Sequence, residues 1–246
     1  MNPILLNQLS IDYCCAEAAV LDGQNHFTEF APHPDRRRYD DADDCFLKIC
    51  VLNSKLLVCG HGEIVAELEP WLSDFGGEWF LDAAPLRKLD EMLRPHGYEI
   101  AQFHPFYAPD AAASVPADTA GWEIRWYEAA DIEQFRGDRR FCYAFTFLPA
   151  APDVLGVAAW RDGEIYGMAG ASADSPQLWQ IGINTLPNAR QQGVAAMLVT
   201  LIRDEILRRG ALPYYGTALS HLASQKTALK SGFRPAWSEL TTKRIG

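Results

Sequence analysis

The chain has 246 residues, 48% of them hydrophobic and 22% charged, enough to bury one large core or two small ones. It has no apolar run near the roughly 18 residues a membrane span needs, and its start, MNPILLNQLSIDYCC, has no basic stretch of the secretory kind, so the cytoplasm is the expected location. Net charge is −10, made of −12 over residues 1–120 and +2 over residues 121–246, which argues against a nucleic-acid partner and suits a chain that grips an anion with its second half.

A helix is predicted over residues 3–20. The stretch PHPDRRRYDDADD that follows has opposed charge runs and predicts a solvated loop. CFLKICVLNSKLLVCG predicts two strands turning at Asn53-Ser54. Residues 62–72 and 83–95 predict helices, the second with Leu86, Leu89, Met92 and Leu93 on one face, and YEIAQFHPFY a strand. Trp71, Trp79, Phe103, Phe106 and Tyr107 are expected in a core or a domain interface.

The cysteines, Cys14, Cys15, Cys45, Cys50, Cys59 and Cys142, form no CxxC pair and are expected reduced and buried. Cys45 and Cys50 differ by an odd number along an expected strand, which puts them on opposite faces and argues against zinc shared with Cys59 and His61. No metal is expected. Residues 108–121, rich in Ala and Pro, read as a linker between a first domain, 1–107, of unassigned role and a second, 122–246.

In the second half WEIRWYEA predicts a strand and ADIEQFRG a short helix. VLGVAAW and EIYGMAGAS flank Asp162-Gly163, a strong hairpin signal. LWQIGINTL predicts a strand stopped by Pro187. A helix is predicted over 191–209, with Val194, Met197, Leu198, Leu201, Ile202 and Ile206 on one stripe and Arg208, Arg209 and Gly210 as its end. PYYGTAL, HLASQKTALKSG and FRPAWSELTT predict strand, helix and strand. The class is α/β with a mixed sheet.

NARQQGVAAMLV, Asn188 to Val199, has no acidic residue to occupy the helix start, where unpaired amides and the helix dipole attract anions. Gly193 leaves room for a bulky phosphate, and Arg190 offers a charged donor. GxxxxGK[ST] is absent, and CGHGEI lacks the third glycine of GxGxxG.

Arg190-Gln191-Gln192-Gly193-Val194-Ala195 resembles the Arg/Gln-x-x-Gly-x-Gly/Ala signature of the GNAT superfamily of N-acetyltransferases, and HLASQKTALKSGFRPAW resembles that family's Asn-x-x-Ser…Gly-Phe segment. The resemblance spans residues 122–246. It implies a GNAT-like acetyl-CoA-binding catalytic domain preceded by a smaller α/β domain, whose hairpin–helix–helix–strand order admits a degenerate GNAT-like half. It implies acetyl-CoA as co-substrate, with Ile183, Asn184 and Thr185 offering backbone groups to pantetheine. The amides of Gln191, Gln192, Gly193, Val194 and Ala195, with Arg190, would meet the pyrophosphate. His221 stands where the family has an asparagine, Ser224 beside the pantetheine arm, and Ala228 where many members have the tyrosine that protonates the leaving thiolate. Lys226 either faces the nucleotide phosphates or is simply solvated.

Direct transfer to a primary amine needs a base, since an ammonium of pKa about 10 cannot attack, and a donor for the leaving sulfur. Glu164 and Asp174 are the candidate bases. Tyr214 or Tyr215 is a candidate acid, and His221 could serve either way or merely start a helix. The expected acceptor is an amine on a small molecule or protein, with no nucleic-acid or membrane partner. The alternatives are a transferase for long-chain acyl-CoA or aminoacyl-tRNA, and a non-catalytic acyl-CoA sensor.

Overall fold

The computed structural model describes all residues except 38–44 and 114–115. The end of the expected loop PHPDRRRYDDADD and two residues of the expected linker therefore lie outside the described residues. The described residues divide into two compact units: Met1–Arg36, residues 45–106 and Ala236–Gly246 form the first, and Arg37 with Tyr107–Pro235 the second.

The first unit opens with helix α1 (Pro3–Asp12), started by Pro3 and by the Asn2 side chain, which accepts the Ile4 amide at 2.8 Å. The single helix expected over 3–20 is two. Cys14 takes a positive φ of 49°, its neighbour's amide closes back on Ser10, and α2 (Glu17–Leu21) starts afresh. Strand β1 (His26–Glu29) is a feature the sequence reading missed, being only four residues long with polar flanks. Strands β2 (Leu47–Leu52) and β3 (Lys55–Gly60) form the expected hairpin, with Asn53 and Ser54 both at positive φ. Cys45 precedes β2, so the strand-face argument applied to it does not hold.

Helices α3 (Gly62–Leu72) and α4 (Ala83–Leu93) follow, then strand β4 (Tyr98–Pro109). In this unit β1 lies parallel to β3, and β2 is antiparallel both to β3 and to the C-terminal strand β10 (Phe233–Arg244). Leu56, Val58, Ile64, Leu68, Phe80 and Leu89 share its core. Phe106 and Tyr107 are buried as expected; Trp79 is exposed instead. All six cysteines are free; Cys50 and Cys59 are buried as expected, whereas Cys14, Cys15 and Cys45 are half-buried and Cys142 is exposed.

The second unit is built on five strands in the order β9-β8-β7-β6-β5. They are β5 (Glu123–Glu128), β6 (Asp153–Arg161), β7 (Glu164–Ala173), β8 (Leu178–Thr185) and β9 (Leu212–Gly216). Neighbours from β5 to β8 are antiparallel, and β8 and β9 are parallel. The short helix α5 (Ala129–Ile132) follows β5. Helix α6 (Val194–Arg208) joins β8 to β9, and α7 (Leu222–Lys230) follows β9.

The predicted stripe of α6 places Val194, Leu198, Ile202 and Ile206 against Leu155, Val157, Ala169, Ala171 and Ile181 of the sheet. Each such side chain, fully buried, contributes about 1.5–3 kcal/mol. Ala158 and Met168 belong to a second cluster, with Phe135, Phe141 and Phe145. The two clusters follow the two-residue alternation of the strands. The far end of α6 is held by Arg209, which donates to Glu128 at 2.6 and 2.9 Å and to Glu205 at 2.8 Å.

Candidate functional site

The middle of the second unit's sheet comes apart along one line. Strand β7 pairs with β8 from Ala173↔Trp179 to Gly167↔Thr185. On the opposite edge, β9 pairs with β8 only at Leu178↔Leu212, Trp179↔Pro213 and Gln180↔Tyr214. From Ile181 to Thr185, β8 has no strand on that edge among the described residues. Such an edge presents backbone donors and acceptors to an extended ligand.

The two tyrosines of β9 mark the point of parting. Tyr214 is fully buried, and its hydroxyl donates to Asp174, with Gln180 at 3.2 Å. Ser172 donates to the other oxygen of Asp174 at 2.6 Å. This knot anchors the paired end. Tyr215, on the opposite side of the strand by alternation, meets the Ser224 hydroxyl of α7 at 2.8 Å. Burial pushes the Tyr215 hydroxyl above its ordinary value, against the smaller lowering effect of Ser224.

The open edge of β8 leads directly into the start of α6. The Leu186 amide donates to Tyr166 at 2.9 Å, and Pro187–Ala189 makes one 3-10 turn. The helix expected from 191 begins at Val194, because Gln191 and Gly193 take left-handed φ values of 64° and 78°. The first intrahelical bond runs from the Met197 amide to the Gly193 carbonyl at 3.0 Å, so the amides of Val194, Ala195 and Ala196 precede it. No side chain caps this end and its first turn holds no acid. No atom lies within 4 Å of where a Cβ on Gly193 would stand. The Arg190 side chain is exposed and has no hydrogen-bonded partner among the described residues. The result is a roomy, electropositive helix start beside an unpaired strand edge, which fits a long anionic ligand with an extended arm.

The other expected site residues divide. Asn184 contributes backbone only, since its side-chain oxygen accepts the amides of Tyr143 and Ala144, both at 2.8 Å. That contact fixes the segment 139–147 on the sheet. A row of glycines, Gly156↔Gly170↔Gly182 across three strands, makes the approach possible. A Cβ on Gly182 would stand 1.8 Å from the Tyr143 carbonyl oxygen, and one on Gly170 2.0 Å from that of Ala144. Sequence reading missed this segment because its anchors are side-chain and glycine positions on distant strands.

The Gln192 side chain turns back on its own loop, its amide donating to the Asn188 carbonyl at 2.6 Å. His221 precedes α7 with its side chain exposed and no hydrogen-bonded partner among the described residues; its backbone does the capping. Lys226 is exposed, and Ala228 is buried in the core that also holds Tyr215. Glu164 is exposed at the Asp162-Gly163 turn, whereas Asp174 is buried in the Tyr214 knot. Ile183, Thr185, Gln191 to Ala195, and the Tyr215–Ser224 pair are thus available to one ligand-binding role, while Tyr214 and Asp174 serve each other.

Among the described residues, the one group of ligand atoms close enough to share an ion is Glu63, Glu67 and His96, all in the first unit. His96 Nε2 lies 3.3 Å from Glu67, and both carboxylates are exposed, an arrangement that an ion-paired histidine also explains. Among those residues no helix is long and apolar enough to cross a membrane.

Residues 118–233 match the model of the acetyltransferase (GNAT) family. No curated protein matches the chain. Solved structures similar to it include a GCN5-related N-acetyltransferase from Kribbella flavida, at 20% identity and a TM-score of 0.47 over 63% of each chain. An acetyltransferase of the GNAT family from Colwellia psychrerythraea has 16% identity and a TM-score of 0.43, covering 66% of this chain and 63% of that one. A tandem GNAT protein from the clavulanic acid biosynthesis pathway has 13% identity and a TM-score of 0.47, with 63% and 58% covered. The chain thus spans less than two thirds of the length of these three proteins. The matched stretch takes in β5 to α7, with both the open edge of β8 and the start of α6, so residues 118–233 form a domain that matches the acetyltransferase (GNAT) family.

Proposed function

We propose that the protein is an acetyl-CoA-dependent N-acetyltransferase that moves an acetyl group to a primary amine by direct attack. The observation that carries this reading is the loss of β8–β9 pairing after Gln180↔Tyr214, immediately before an uncapped α6. Acetyl-CoA supplies an activated acyl carbon with a thiolate as leaving group. Backbone groups of Ile183, Asn184 and Thr185 bind the extended arm, and the amides of Val194 and Ala195, with Arg190, hold the diphosphate. A backbone amide on the 181–185 edge steadies the acyl oxygen as it gains charge.

The Tyr215 hydroxyl, backed by Ser224, gives its proton to the departing sulfur. Its raised pKa keeps that proton in place at neutral pH. The incoming ammonium loses its proton through a chain of waters to bulk solvent and its buffer bases before attack, since Asp174 is committed to Tyr214. The first unit, residues 1–107 completed by the end of β10, is proposed to have an accessory role.

Two measurements test the proposal. Acetyl-CoA at a hundred times its dissociation constant should stabilise the fold by about 2.7 kcal/mol, roughly 5–11 °C in Tm for a chain of this size. Free thiol should then appear when an amine panel is added. Binding without thiol release for any amine would replace the enzyme reading with that of an acyl-CoA sensor. No binding would end both.

A further inference from the structure

The loop that enters α6 includes a conformation its sequence does not favour. Gln191 is not glycine, yet its φ is +64°. Left-handed residues of this kind persist only where surrounding contacts over-determine them. The contacts here lead to a residue outside the loop. Gln192 Nε2 donates to the Asn188 carbonyl at 2.6 Å and closes the turn from within. Gln192 Oε1 in turn faces Arg161 Nη1 at 3.4 Å.

Arg161, the last residue of β6, is itself fixed. Its Nε donates to the Gly121 carbonyl at 3.1 Å. Its guanidinium lies 3.6 Å from the centre of the Trp122 ring. Trp122 packs edge-on to Tyr166 at 5.1 Å, and both rings lie against the α6-side core. The Tyr166 main-chain carbonyl accepts the Leu186 amide, so the near end of the loop is tied to β7 beside this cluster. A planar guanidinium with a ring beneath it and separate donors at its edge can hold two partners at once, which a lysine cannot.

From this geometry we infer that Arg161 is a positioning residue for coenzyme binding: through Gln192 it holds the loop 188–193 in the shape that presents the α6 amides to the diphosphate. The inference rests on the reading of α6 as the coenzyme seat. Without the brace the loop spends less time in the competent shape, and apparent affinity falls by the fraction lost while chemistry on bound coenzyme is untouched.

Titration of the protein with coenzyme A separates the possibilities. If the unaltered protein takes up no coenzyme A, the reading of the site fails before the brace is tested. Given uptake, Arg161→Met should raise Kd about tenfold while kcat at saturating acetyl-CoA stays within about twofold. In a Gln192→Ala background the same substitution should add at most about twofold, because the path to the loop is already cut. Gln191→Gly, which needs no brace to adopt positive φ, should recover most of the affinity lost in Arg161→Met. Should Arg161→Met not fold, Arg161→Lys carries the same comparison. Unchanged affinity in either variant overturns the inference. So does a full additive loss in the Gln192→Ala background with a shallower salt dependence of binding, the mark of direct phosphate contact.

Discussion

Tyr215 carries the proton transfer in the proposed reaction, a role that the sequence leaves unplaced. The alternation of a strand says that Tyr214 and Tyr215 face opposite sides, but not which side holds a hydroxyl near a ligand. Partners decide it: Tyr214 is locked onto Asp174, whereas Tyr215 reaches Ser224 beside the small Ala228. Tyr215→Phe keeps the ring and its packing and removes only the proton, so kcat should fall about 10²-fold with Kd for coenzyme A within twofold. The pH dependence has a definite sign. Burial raises the Tyr215 pKa above 10.0, so the acid stays protonated through neutral and mildly alkaline pH, and the native kcat should not decline below pH 10 for lack of it. A pH–rate profile of native protein that falls with an apparent pKa near 8 would assign the donor elsewhere. His221 was legible as a residue at a helix start and no further, because nothing in a sequence tells whether an exposed ring finds a partner.

At the level of elements, the strands and helices of the second unit were legible from period and turn chemistry, and the start of α6 was only nearly so. Its true first residue depends on left-handed Gln191, which propensity does not suggest. The parting of β8 from β9 could not be read from residue pattern, since pairing is decided across the sheet; only the family resemblance implied that Ile183, Asn184 and Thr185 offer backbone groups to a ligand. The segment over the glycine row was hidden for the same reason. Asn184 tests how that segment is held. Asn184→Ala removes the acceptor of two amides, each left unpaired at a cost of about 1–3 kcal/mol where water cannot reach it. Calorimetry should show Tm lowered by about 4 °C or more, and kcat/KM should drop as the segment shifts from the open edge. An unchanged Tm would mean that the glycine row alone seats the segment.

The molecule as a whole carries −10, and a field of that sign acts on partners before they touch. The coenzyme of the proposed reaction is an anion that must enter against this field, so the seat proposed for it at Arg190 and the α6 amides has to overcome a general repulsion. An amine acceptor arrives as a cation and is drawn in. The two substrates of the proposed reaction therefore meet opposite long-range forces from one charge distribution. Salt distinguishes long-range attraction from contact, because the screening length shrinks from about 30 Å at 0.01 M to about 10 Å at 0.1 M. For an alkylamine acceptor, kcat/KM should fall about threefold between 20 and 200 mM salt with acetyl-CoA saturating. For an arylamine that is neutral at pH 7, it should not move. A rise for the alkylamine, or an equal fall for both, would show that the acidic surface does not steer the acceptor.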